Sequence, residues 1–137
     1  MRTVLKNCTL LDGTKDMLIQ NDMDIAFENG KITEIGKVHA KKGDVCYDLN
    51  GKYVMPGLIN LHVHLPAGGK PKNKPLKAEK LAKFALSNEL IKSVVLKMCH
   101  AYAMHDLLSG VTTVRAVGGL GDLDTRLRDK IEEGMDG

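Results

Sequence analysis

Residues 54–65 read Val54-Met55-Pro56-Gly57-Leu58-Ile59-Asn60-Leu61-His62-Val63-His64-Leu65, and the chain changes texture across them. Pro56-Gly57 is a break. The segment after it, Leu58 to Leu65, is apolar and β-branched enough to be a strand. Side chains alternate across a strand, so Asn60, His62 and His64 share one face, and Leu61, Val63 and Leu65 share the other. The apolar set can pack against covering helices. The two imidazoles then project together near the C-terminal end of the strand, where parallel βα proteins put their sites. A bare His-x-His is short and arises by chance, but two polar rings on one face of a strand are an odd choice for a plain core.

Upstream of the break, residues 1–55 read as short strands separated by turn signals. Asn29-Gly30 lies between two apolar-polar stretches and favours a type I′ turn, which predicts a hairpin from about Met23 to Gly36. In DVCYDLNGKYVM, Val45, Tyr47 and Leu49 alternate with polar neighbours before Asn50-Gly51 turns the chain into Lys52 to Met55. Several strands with turns this close together predict a small antiparallel sheet or half-sandwich.

Downstream, a Gly/Pro/Lys loop (AGGKPKNKP) leads into a helical stretch over about Leu76 to Ser109, with a break expected near Ser87-Asn88. Leu90 or Ile91, Val94, Val95, Met98, Ala101, Tyr102, His105 and Leu108 fall on one stripe at helical spacing. Gly110 stands where a helix ends. VTTVRAV is the next strand and GGLGD a loop; Asp122 or Asp124 then caps a last helix that closes at Gly134. Strand, helix, strand, helix with short connections is the order of parallel βα units.

Composition narrows the partners. Lys plus Arg total 20 against 17 Asp plus Glu, a net charge of +3 with the signs interleaved, which favours neither a nucleic-acid groove nor an acidic membrane surface. No apolar run approaches the roughly 20 residues of a membrane span, and the first residues show no secretory signal. Cys8, Cys46 and Cys99 are odd in number and widely spaced, which predicts three reduced thiols and a soluble, cytoplasmic protein.

The stretch 54–65 closely resembles the first barrel strand of the amidohydrolase superfamily, PGLID-x-H-x-H. The hairpins carrying NGKITEIG resemble the family's small β-sandwich domain. Gly110-Val111-Thr112-Thr113-Val114-Arg115 with Gly118-Gly119 is similar to its second-strand segment GxTTVRD-GG, and LRDKIEEG to the helix that follows. The likeness is nearest to the imidazolonepropionase-related branch, which includes Xaa-Pro dipeptidase-like enzymes. It implies an α/β fold with an N-terminal all-β part. Residues 1–55 would be the N-terminal part of a small composite β-sandwich domain, and 56–137 the first two βα units of an incomplete TIM (β/α)₈ barrel.

The resemblance also implies a hydrolase for amide or related C–N bonds, favouring dipeptide-like small molecules and working through a metal-activated hydroxide. A cyclic-amide hydrolase or an aminohydrolase (deaminase) is the alternative within the family. His62 and His64 are the positions that carry over as metal ligands, for zinc or another divalent ion, with one or two ions in the complete enzyme. Bound zinc lowers the pKa of its water to about 7 and polarises a carbonyl, and neutral imidazole suits it.

Asn60 stands where the family often has Asp, and Ala116 where TTVRD has Asp. The family's middle-strand lysine, two later histidines and proton-shuttling aspartate would all lie beyond Gly137. The catalytic residues are therefore expected there, with the isolated chain inactive. A different class of reading is a non-catalytic module that forms a homo-oligomer or pairs with a chain completing the barrel.

The other polar residues carry less. His39 is expected in solvent and His105 partly buried; His100 and His105 are about 140° apart around a helix and do not point together. Lys70, Lys72, Lys74 and Lys77 read as a solvated basic loop, Arg115 as a partner for an acid, and Cys99 as core. Gly118, Gly119 and Gly121 form a tight loop with no nucleotide-binding spacing.

Overall fold

The computed structural model describes residues 1–67 and 78–134, which belong to two compact units, Met1–Pro56 and Gly57–Gly137. The basic run Lys70, Lys72, Lys74 and Lys77 and the first residues of the expected long helix lie outside the described residues.

The first unit is one five-stranded sheet. Its strands are β1 (Arg2–Leu10), β2 (Gln20–Glu28), β3 (Lys31–Gly36), β4 (Val45–Asp48) and β5 (Tyr53–Val54). The order is β3-β2-β1-β4, with β5 pairing further along β1. β2 and β3 form the expected hairpin, begun three residues earlier at Gln20. Its turn residues Asn29 and Gly30 sit at φ 51° and 73°, both in the left-handed region of a type I′ turn.

Asn50-Gly51 takes the same left-handed pair of angles, 50° and 78°, but makes no hairpin. β4 and β5 both run parallel to β1, Thr3 opposite Val45 and Thr9 opposite Tyr53. The sheet is therefore mixed, which corrects the antiparallel expectation. A single sheet, without a second one facing it, is what the described residues of this unit contain. The reason lies in β1, which spans nine residues and has room for two short strands in succession.

Val4, Ala26 and Val38 form one small core cluster, and Cys8, Leu10 and Ile25 another. Between them β1 is bulged: the register with β2 shifts between Leu5 and Cys8, and Asn7 has φ 54°. The buried Asp24 carboxylate serves that irregularity, accepting from the amides of Asn7 (3.0 Å) and Val38 (3.1 Å). Burial pushes its pKa up, but the two amide donors, together with the charges of Lys6 and Lys37, outweigh that and hold it below the ordinary carboxylate value.

The second unit holds β6 (Leu58–Val63), α1 (Ala78–Ala85), α2 (Glu89–Leu108), β7 (Val111–Ala116) and α3 (Leu123–Glu132). β6 and β7 are parallel neighbours. The helical stretch breaks where expected, because the Asn88 side chain caps α2 by accepting from the Ile91 amide at 3.0 Å. Gly110 at φ 94° ends α2. Asp122 occupies the first cap of α3 but does not cap it; its carboxylate takes the Arg126 guanidinium at 2.7 Å instead.

The core of this unit is Val63, Leu65, Leu96, Cys99, Leu123 and Leu127, with Leu86, Val95, Ala103, Val114 and Leu120 against it. On α2 the buried line therefore runs Leu96, Cys99, Ala103. That corrects most of the expected stripe: Val95 packs against the core, but Leu90, Val94, Met98 and Leu108 are exposed, by 77, 62, 38 and 80 %. The helix is apolar on two sides, and its spacing offers both sides equally.

Candidate metal centre

The two histidines reach the site because β6 ends between them. Val63 is the last residue of the strand and is buried with Leu65 in the core, which aims the alternating His62 and His64 away from it. Leu61 was expected with Val63 and Leu65 on the packed face; it is 66 % exposed. The Asn60 side chain is used locally, its Oδ1 accepting from the His62 amide at 3.1 Å. Beyond the strand the Ala67 amide donates to the His64 carbonyl at 2.8 Å and turns the chain.

His62 Nε2 and His64 Nε2 are 3.3 Å apart, with ring centroids at 5.2 Å and planes crossing at 71°. The donor set fits a zinc ion. Two nitrogens at about 2.0–2.1 Å from a tetrahedral ion stand roughly 3.3–3.4 Å from each other. Both rings are exposed, so a cation has access. Among the described residues no third His, Cys, Asp or Glu joins them.

The loop after β7 meets the same point. The Val117 amide donates to the Val63 carbonyl at 3.1 Å, between the two histidines in sequence, and the Gly118 carbonyl lies 2.8 Å from His64 Nδ1. The sequence marked this segment as a tight loop and as part of the second-strand resemblance, with no role at the histidines. Its signal was the Gly118-Gly119 pair placed directly after a strand.

On the other side His64 borders an open cleft of about 280 Å³, lined also by Tyr102, His105 and Asp106. His105 is exposed there, which corrects its expected partial burial. It lies six residues from the buried Cys99, about 120° around the helix from the packed line. His100 is half-buried, and His39 is in solvent as expected.

Arg115 was expected to pair with an acid. It is exposed and forms no ion pair among the described residues. Cys8 and Cys99 are buried and Cys46 is exposed, all three as free thiols. Burial, with the Asp124 charge adding to it, pushes the Cys99 thiol up to about 11, so it is core and no nucleophile.

No family model matches the chain. A dihydroorotase of Trichlorobacter lovleyi is 39 % identical over 66 residues, which is 47 % of this chain and 15 % of that protein. An imidazolonepropionase of Fusobacterium nucleatum is 30 % identical over 151 aligned residues, covering 90 % of this chain and 35 % of its own length. The solved structure of an amidohydrolase superposes with a TM-score of 0.73 at 27 % identity, covering 98 % of this chain and 29 % of that one. The chain thus spans between about one seventh and one third of the length of these relatives.

Proposed function

We propose that this chain, which belongs to the amidohydrolase superfamily, is the amino-terminal part of a metal-dependent hydrolase of amide or related C–N bonds. The observation that carries the reading is the pair of imidazole nitrogens 3.3 Å apart at the C-terminal end of β6. His62 and His64 would hold a divalent ion, zinc by its liking for neutral imidazole. Such an ion supplies an acidified water and a Lewis acid for the scissile carbonyl. The chain's own part is to place two imidazoles side by side on a strand end, with Val63 and Leu65 anchoring the backbone on either side of His64.

In this reading residues 1–55 belong to the small β-sandwich domain, and 56–137 are the first two βα units of a (β/α)₈ barrel. A full barrel takes about 250 residues. Support comes from the parallel β6–β7 pair with helices between and after its strands, and from Leu58, Ile59 and Leu61 lying 48, 64 and 66 % exposed on β6. Later strands would bring the remaining ligands, for one or two ions, and the proton shuttle, either in one polypeptide or from a chain that completes the barrel. The free thiols Cys8, Cys46 and Cys99 support a cytoplasmic site of action. Among the described residues no helix is long and apolar enough to cross a membrane.

For substrate we take a small dipeptide-like amide, supported by the likeness to a solved structure described as a putative prolidase from Bifidobacterium longum, 27 % identical over 98 % of this chain with a TM-score of 0.73. A cyclic-amide hydrolase is the second reading, favoured by the segment shared with a dihydroorotase. Zinc titration tests the site: weak binding is expected, and it should vanish in His62→Ala/His64→Ala. Binding that survives the double substitution sinks the assignment. In the assembled enzyme, cleavage of a dipeptide ending in proline, compared with opening of a cyclic amide, decides between the substrates.

A further inference from the structure

We infer that Gly118 is the positioning residue of the histidine pair: its carbonyl keeps the His64 proton on Nδ1, so His64 is ligand-ready and His62 must change tautomer. The ligand part of this rests on the metal reading above; the tautomer part stands without it. A carbonyl oxygen only accepts, so the 2.8 Å contact at Gly118 requires an Nδ1–H on His64. A neutral imidazole has one N–H, which leaves His64 Nε2 as a lone pair. If the 3.3 Å contact between the two Nε2 atoms is a hydrogen bond in the metal-free protein, its proton then sits on His62. A cation needs lone pairs on both nitrogens. His64 already offers one, and His62 offers one only after its proton moves to Nδ1.

Glycine at 118 is what lets the carbonyl come so close. The hydrogen bond from Val117 to Val63 fixes the loop beside the strand end, and residue 118 lands on the imidazole. A Cβ built there would stand 3.3 Å from His64 Cε1 and 3.4 Å from Nδ1, tight enough to push ring and loop apart. Gly118 is outside the left-handed region, so an alanine meets the ring and not a backbone penalty. On the far side the loop is gripped by α3, since a Cβ at Gly119 would overlap the Asp124 carboxylate. A metal-binding histidine is commonly oriented by an acceptor on its other nitrogen, and losing that acceptor weakens binding about 10- to 100-fold.

The test is long-range ¹H–¹⁵N correlation of the histidine rings in the full chain, well above the ordinary imidazole pKa of about 6.5, before and after adding Zn²⁺ alone. We expect His64 as Nδ1–H throughout, and His62 as Nε2–H without zinc and Nδ1–H with it. Gly118→Ala should turn His64 into a tautomer mixture and weaken Zn²⁺ binding about 10-fold. An Nε2–H His64 in the unsubstituted, metal-free protein overturns the proposal, and that measurement needs no variant to fold. An Nδ1–H His64 whose ring signals ignore Zn²⁺ supports the carbonyl lock and overturns the metal reading. An unchanged tautomer and affinity in Gly118→Ala overturns the role of Gly118.

Discussion

β1 and β6 are both apolar, β-rich strands that open their units, yet they are buried very differently. β1 has β2 on one side and β4 with β5 on the other, and Val4, Cys8, Thr9 and Leu10 are all buried. β6 has β7 alone, and of its six residues only Val63 is buried. Neighbours, not composition, decide whether a strand is core. β1 has both of its neighbours within the described residues. In β6 the burial concentrates at the end that aims the histidines.

The comparison predicts where substitutions hurt. Leu127→Ala, in the fully buried centre of the second unit, should cost about 2–5 kcal/mol in urea unfolding. A loss under 1 kcal/mol, on the order of a surface change, would mean that this core does not hold its unit. In the first unit Asp24→Ala leaves the Asn7 and Val38 amides without their acceptor and should cost about 2–3 kcal/mol. Because its folded pKa is depressed, the Asp24 contribution is present above the unfolded value of about 3.9. It fades as pH falls through the lower folded value, and Asp24→Asn should flatten that limb of a stability–pH curve.

Leu61→Ser should change stability by no more than about 0.5 kcal/mol, since the residue is already in solvent. An effect as large as that of Leu127→Ala would break the contrast between the two strands. Smallest of all is the exposed tether in which Arg126 joins Glu89 and Asp122 at 2.7 Å each. Arg126 and Lys92 pull the Glu89 carboxyl down to about 2. Its slight stabilisation is present above the ordinary glutamate value, is lost as pH falls towards 2, and should weaken in salt. Thermal unfolding of Glu89→Gln across pH and salt measures it.

What the sequence made legible follows from how local each signal is. Asn29-Gly30 sets its own turn, and the flanking strands pair next to each other, so the hairpin was readable. Asn50-Gly51 sets the same local angles, but the partner of both flanking strands is β1, some forty residues earlier. No turn residue encodes that. The break before α2 at Ser87-Asn88 was readable, whereas the helix's buried face depended on where Leu123 and Leu127 arrive from α3. At the site, alternation along one strand was enough to bring His62 and His64 together. The Gly118 carbonyl was invisible because a backbone atom 54 residues away has no side chain to announce it.

The three thiols offer an experimental handle on the same two units. Cys46 is exposed on β4, while Cys8 and Cys99 are wholly buried, one in each unit, and burial raises the pKa of both. An alkylating reagent should therefore take one equivalent quickly, at Cys46. Later modification at Cys8 then counts openings of the first unit, and at Cys99 openings of the second. Peptide mapping of the slow phase would give each unit its own clock from a single unlabelled sample.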